Sequence, residues 1–203
     1  MFTDAEYPAD PYPGRRPATS FVHVDGVGYP LAADGSVAPD GAGIDGWLAE
    51  RGAPPLAGRT PVLAYGSNAC PSKLTWLREN LGLTGPVVAL RARCAGYATA
   101  WTTGLRARDG QRPWTLVAMP DAVEQHAVLL VTDDQLRVLD VCEGTDAGRY
   151  RREPLPDGVV AVDGPAPTGP VHAYLGCHPD RLPLRDDDGA PICATCPTPP
   201  SPP

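Results

Sequence analysis

The chain has 203 residues, of which 42% are apolar, and a formal net charge of -7. That length suits one domain with extended ends, and the apolar share suffices for a core. The acidic balance argues against a nucleic-acid partner, which selects a basic face, yet leaves small anionic ligands open because a local pocket can oppose the global sign.

Residues 1–20 are Pro-rich with little apolar periodicity and predict a mobile or extended arm. Phe21 to Leu31 predicts a hairpin with Asp25-Gly26 at its turn. Residues 33–43 read as loop. Ile44, Trp47 and Leu48 share one face of a short helix that stops at Gly52. These first 58 residues are expected to form an extension before a main domain at 59–180.

Pro61 to Tyr65 is a short apolar strand, and Gly66-Ser67-Asn68 breaks it into a tight loop. Pro71 then opens a helix where its missing N–H costs nothing, with Leu74, Leu77 and Leu81 at helical spacing and Gly82 as its stop. Strands are predicted at 86–93, 97–103, 114–119 and 125–131. Thr132 to Gln135 is a capping box that starts a helix ending at Cys142-Glu143-Gly144. Further strands are expected at 158–162 and 170–175, and a Cys- and Pro-rich tail at 181–203 that ends disordered or polyproline-like. Many strands with few short helices predict an α+β fold with a closed or nearly closed sheet.

No apolar run approaches the ~20 residues of a membrane helix, so no membrane partner is expected. The N-terminus shows no basic stretch leading into an apolar one, which predicts a cytoplasmic protein. Of 17 basic residues only Lys73 is lysine, and with 26 Pro and 22 Gly this reads as GC-rich, bacterial-type coding bias. The six cysteines are then expected to be reduced, with Cys94 and Cys142 as small core residues.

Val62 to Asn68, with its core Tyr65-Gly66-Ser67-Asn68, resembles the Tyr-Gly-Ser-Asn signature of the gamma-glutamyl cyclotransferase-like (AIG2-like) superfamily. Leu136 to Gly144 followed by Tyr150-Arg151-Arg152 is similar to a second family segment, and Val171 to Tyr174 resembles the family's closing strand. The resemblance spans about residues 60–176. It implies a mixed barrel of about six or seven strands with peripheral helices around a cavity for a glutamyl group. It also implies a cofactor-free cyclisation of a γ-glutamyl amide to 5-oxoproline with release of an amine. Glu143 takes the acid/base role by this match, and Tyr65, Gly66, Ser67, Asn68 and Tyr150 form the substrate-binding set. The chain departs from the family in its sixty preceding residues and in Ala69-Cys70, where a larger apolar residue is usual.

The residue types suit the chemistry. The substrate's own α-amine attacks its γ-carbonyl after losing a proton, and a carboxylate can take that proton and later return it. Backbone N–H groups between a strand end and a helix start can hold an anion. The bland reading is a plain turn of Gly, Ser and Asn, with Glu143 merely solvated at a helix end that disfavours it. Asp140 reads as a surface partner for Arg137. A non-catalytic binding protein of the same fold is the alternative, and a plug formed by residues 1–58 would favour it. An adaptor using the Pro-rich tail is a third reading.

Cys193 and Cys196 have the spacing of a zinc knuckle that Cys177 or His178 would complete. Three unrelated thiols, or a disulfide within Cys193-Ala-Thr-Cys196, are the alternatives to zinc. Ser67 lacks the elbow context of a hydrolase, and no phosphate-binding Gly pattern is present.

Overall fold

The computed structural model describes residues 1–195. Strands β1 (Phe2–Thr3), β2 (Phe21–Val24) and β3 (Val27–Pro30) come first, then a small ribbon of β4 (Ser36–Val37) and β5 (Ala42–Gly43), and helix α1 (Ile44–Ala49). Next come β6 (Thr60–Ala64), α2 (Pro71–Leu81), the long strands β7 (Val87–Trp101) and β8 (Trp114–Val131), and α3 (Asp133–Glu143). The chain closes with β9 (Tyr150–Pro154), β10 (Val160–Asp163) and β11 (His172–Gly176). The main sheet runs β1-β3-β2-β7-β8-β6-β11-β9, with β10 added on β7.

The α+β expectation stands, but the barrel does not. The two ends of the strand path, β1 and β9, do not pair, so the nine-stranded sheet stays open. The outer edge of β7 is shared out instead: β2 covers Val87 to Ala89 and β10 covers Arg91 to Cys94. Further along, Ala100 bridges to Cys193. Hydrogen-bonding capacity that closure would use is thereby satisfied by short local partners.

The four strands expected between 86 and 131 are two. Gly96, at a φ of +79°, sits in the break between the paired runs ending at Ala95↔Val123 and resuming at Tyr97↔Ala118. The opposite residues 119–122 fall out of register around Pro120, which has no N–H to donate. Both breaks looked like strand ends in sequence and are irregularities inside long strands. The expected hairpin at 21–31 is present, and Asp25 and Gly26 both take the left-handed conformation its tight turn requires.

Apolar strands carry no polar face because the sheet is covered on both sides. Val62, Ala89, Leu129 and Val131 pack with Leu74 and Leu77 of α2 and Leu139 of α3. Their alternating neighbours Leu63, Val88, Leu90 and Leu130 pack with Ile44, Trp47 and Leu48 of α1. Leu129 is fully enclosed, so Leu129→Ala should cost about 2–5 kcal/mol of stability, read from urea unfolding. The Thr132 capping box forms as expected, its side chain accepting from Gln135 N, and Gly144 closes α3 in the left-handed conformation.

Residues 1–20 pack against the body. Phe2 is buried against Phe21, and Asp4 pairs with the fully buried His23 at 3.0 Å. Ser72 Oγ donates to the carbonyls of Asp4 and Tyr7. Cys70 Sγ donates to Tyr7 O at 3.2 Å, and a Cβ on Gly14 would fall 2.8 Å from that sulfur. The small Ala69-Cys70 pair thus makes room for the arm. No helix among the described residues is long and apolar enough to cross a membrane.

Candidate active site

A cavity of about 730 Å³ opens where the end of β6, the C-terminus of α3 and the starts of α2 and β8 meet. That volume is in the range of small-molecule sites. Tyr65, Gly66, Ser67, Asn68, Glu143 and Tyr150 all line it, so every residue of the expected set comes together.

Glu143 is the last residue of α3 and is half-buried in the cavity. Its Oε1 accepts from Asn68 Nδ2 at 2.7 Å, across 75 residues of sequence. Burial raises its carboxyl above the ordinary glutamate range; the Asn68 bond, then Lys73, Arg181 and Arg106, oppose the rise. Asn68 is held in a 3-10 turn, Ser67–Ala69, between β6 and α2. The first N–H groups of such a turn have no partner within it.

Three phenols stand around this pair. Tyr65 Oη donates to Tyr174 O, and Tyr150 Oη donates to Trp114 O at 3.0 Å. Tyr12 Oη accepts from Trp114 N at 3.0 Å and donates to no group among the described residues. Burial pushes all three phenols up, so they stay neutral donors near pH 7. Tyr12 comes from the N-terminal arm, where nothing in the sequence marked it. Arg16 of the same arm donates to Tyr65 O at 2.7 Å and pins the loop.

Gly66 matters for close approach. A Cβ there would lie 3.0 Å from Tyr12 Oη. Gly66→Ala should therefore displace Tyr12 from Trp114 with little change in melting temperature, checked by the variant's crystal structure and by thermal unfolding of the two proteins side by side.

Lys73 also went unseen as a site residue, although its being the sole lysine was a signal. It is buried, with Nζ 3.7 Å from the centre of the Trp76 ring. Burial pulls its ammonium below the ordinary lysine value, while the neighbouring Cys142 and Glu143 oppose the fall.

Asp140 does not pair with Arg137, which instead meets Asp134. It holds Arg152 Nε at 3.1 Å and accepts from Tyr174 Oη at 2.7 Å. The partner is set by the β9 strand beside α3, not by the helix's own neighbours.

Among the described residues no group of three or more His, Cys, Asp or Glu is placed to hold a metal. Cys177 Sγ donates to Gly148 O, and His178 Nδ1 accepts from Asp180 N. Cys193 lies on β7 and β8, with Sγ 3.9 Å from Met119 Sδ. Cys196, the remaining expected ligand, and the Pro-rich end lie outside the described residues.

No family model matches the chain, and no curated protein does so significantly. Among solved structures the chain is similar to a gamma-glutamyl cyclotransferase. Identity is 18%, over 58% of this chain and 66% of that one, with a TM-score of 0.45. The chain thus spans just under two thirds of that protein's length. An uncharacterized protein from Homo sapiens is 16% identical over 60% of this chain and 68% of its own, with a TM-score of 0.45. An Arabidopsis thaliana protein is 20% identical over 66% and 75%, with a TM-score of 0.42.

Proposed function

We propose that the protein cyclises a γ-glutamyl amide to 5-oxoproline and releases an amine. The observation that carries this reading is the 2.7 Å bond between Asn68 and Glu143, which joins two motifs distant in sequence at one cavity. Glu143 takes a proton from the substrate α-ammonium. The freed amine attacks the γ-carbonyl carbon, forming the ring C–N bond and a tetrahedral oxyanion. Collapse breaks the bond to the leaving nitrogen, which takes the proton back from Glu143; the second proton of the ring nitrogen follows by way of Glu143, so the ring keeps one N–H and the amine departs as its ammonium. No water is consumed, and no net proton is exchanged.

The N–H groups of the Gly66 to Asn68 loop and the Tyr12 hydroxyl are the donors for the oxyanion. The raised carboxyl of Glu143 brings its affinity for a proton nearer to that of an amine, which suits a shuttle. A plug formed by residues 1–58 would favour the binding-protein alternative; Tyr12 of that stretch lines the wall of a cavity that Glu143 also lines, which supports the enzyme reading. The test is incubation with a panel of γ-glutamyl amides, followed by mass spectrometry. Formation of 5-oxoproline and free amine in equal amounts supports the enzyme. Intact substrate throughout, with the protein folded, supports the binding protein.

A further inference from the structure

A second cavity, of about 270 Å³, lies under the N-terminal arm and apart from the candidate active site. Arm residues Arg16 to Thr19 form one wall, and β7 and β8 form the wall opposite. Its floor is made of small side chains: Ala69 of the 3-10 turn, Ala89 of β7 and Ala127 of β8. Phe21 adds an aromatic edge. Protein interiors are close-packed, so this is room that larger side chains would fill. Ala69 stands where the family that the sequence resembles usually has a larger apolar residue, which makes the space particular to this chain.

The charge around it is one-sided. Arg16 and Arg91 line the cavity and no carboxylate does, in a chain with a net charge of -7. Arg91 is half-exposed. Its Nη1 donates to Ala18 O at 3.3 Å, and its Nε lies 3.4 Å from the exposed Asp163, a surface pair that neutralises little. Arg16 sits deeper. Its Nη2 donates to Tyr65 O at 2.7 Å, and its guanidinium carbon is 5.6 Å from the centre of the Trp114 ring. It has no other hydrogen bond, and no carboxylate within ion-pair distance, among the described residues. Glu124 acts on Arg16 only from further off, and is itself 3.0 Å from His126 Nε2. Burial pulls the Arg16 guanidinium below its ordinary value, as expected of a cation with too little compensation.

A largely buried guanidinium with spare donors at a cavity wall suits an anion, and a carboxylate fits the fork of its N–H groups. The floor selects what the carboxylate is attached to. Alanine methyls and the Phe21 edge match an aliphatic stem, which free phosphate lacks. We infer that this cavity binds a small aliphatic monocarboxylate, its oxygens between Arg16 and Arg91 and its stem on the alanine floor. The anion compensates Arg16 while Nη2 stays on Tyr65 O, so its binding also steadies the Tyr65 to Asn68 loop. Neither statement depends on the cyclisation reading.

The test is calorimetric titration with three probes. Hexanoate is compared with hexanamide, which has the same shape and no charge, and with inorganic phosphate, which is anionic and has no stem. Hexanoate should bind at least about 10-fold more tightly than either. Arg91→Met should remove that advantage. Ala127→Val, which narrows the floor and suits a strand, should weaken hexanoate by a similar factor. Arg181→Met, on the wall of the candidate active site, should leave hexanoate binding unchanged. Circular dichroism and melting temperature establish that each variant is folded. In wild type, hexanoate should slow hydrogen exchange at the amides of Tyr65 to Asn68.

Equal affinities for hexanoate and hexanamide, or no heat from hexanoate at about 10 mM, overturn the site. So does binding that survives Arg91→Met and Ala127→Val, or that is lost in Arg181→Met, which would put the anion in the other cavity. Tighter binding of phosphate overturns the aliphatic ligand class. Hexanoate binding with unchanged loop exchange overturns the link to Tyr65.

Discussion

Glu143→Gln is expected to lower kcat/KM for 5-oxoproline formation by about 10³-fold while leaving the fold intact. Glutamine keeps the oxygen that accepts from Asn68 Nδ2 but cannot take a proton. The variant should also be at least as stable as wild type at pH 7. The carboxyl of Glu143 is raised in the folded protein, so its ionised form is disfavoured there relative to the unfolded chain. That penalty is present above the raised value and vanishes below the unfolded one, and glutamine removes it. An inactive variant with an unchanged or higher melting temperature separates loss of chemistry from loss of structure.

Asn68→Ala should move the pH profile as well as the rate. The base must be ionised, so kcat/KM falls as pH drops through the Glu143 value. That acid limb should lie above the ~4.3 of an ordinary glutamate. The Asn68 amide favours the ionised form, and its removal raises the carboxyl further. The limb should shift to higher pH, with an additional loss of about 10- to 100-fold on the plateau because Glu143 is no longer held in place. A rate loss at all pH values without movement of the limb would mean that Asn68 positions substrate and not the base.

Much of this site was legible because its signals are local. A strand broken by Gly66-Ser67-Asn68 before Pro71, and a helix begun by Thr132 and Gln135 and stopped at Gly144, follow from backbone chemistry over a few residues. Each fixes one end of the Asn68–Glu143 pair. Burial on both sheet faces also follows from the unbroken apolar run at 127–131. What lies across the cavity was not legible. Tyr12 sits in a Pro-rich stretch with no apolar rhythm, and only the packing of Gly14 and Cys70 shows why the arm turns inward there.

The sheet shows the same division. Gly96 and Pro120 are true irregularities, but sequence alone does not separate a strand end from a bulge within a strand. The open edge is likewise a long-range outcome. β2 and β10 share the outer edge of β7, and β1 and β9 end the strand path without pairing with each other.

The measurement that bears most directly on the central claim is turnover of one γ-glutamyl amide in water enriched in ¹⁸O. Intramolecular attack at the Glu143 site predicts unlabelled 5-oxoproline in equal amount with the free amine. Glutamate carrying ¹⁸O in its γ-carboxylate would show that water is the nucleophile, and would contradict the account.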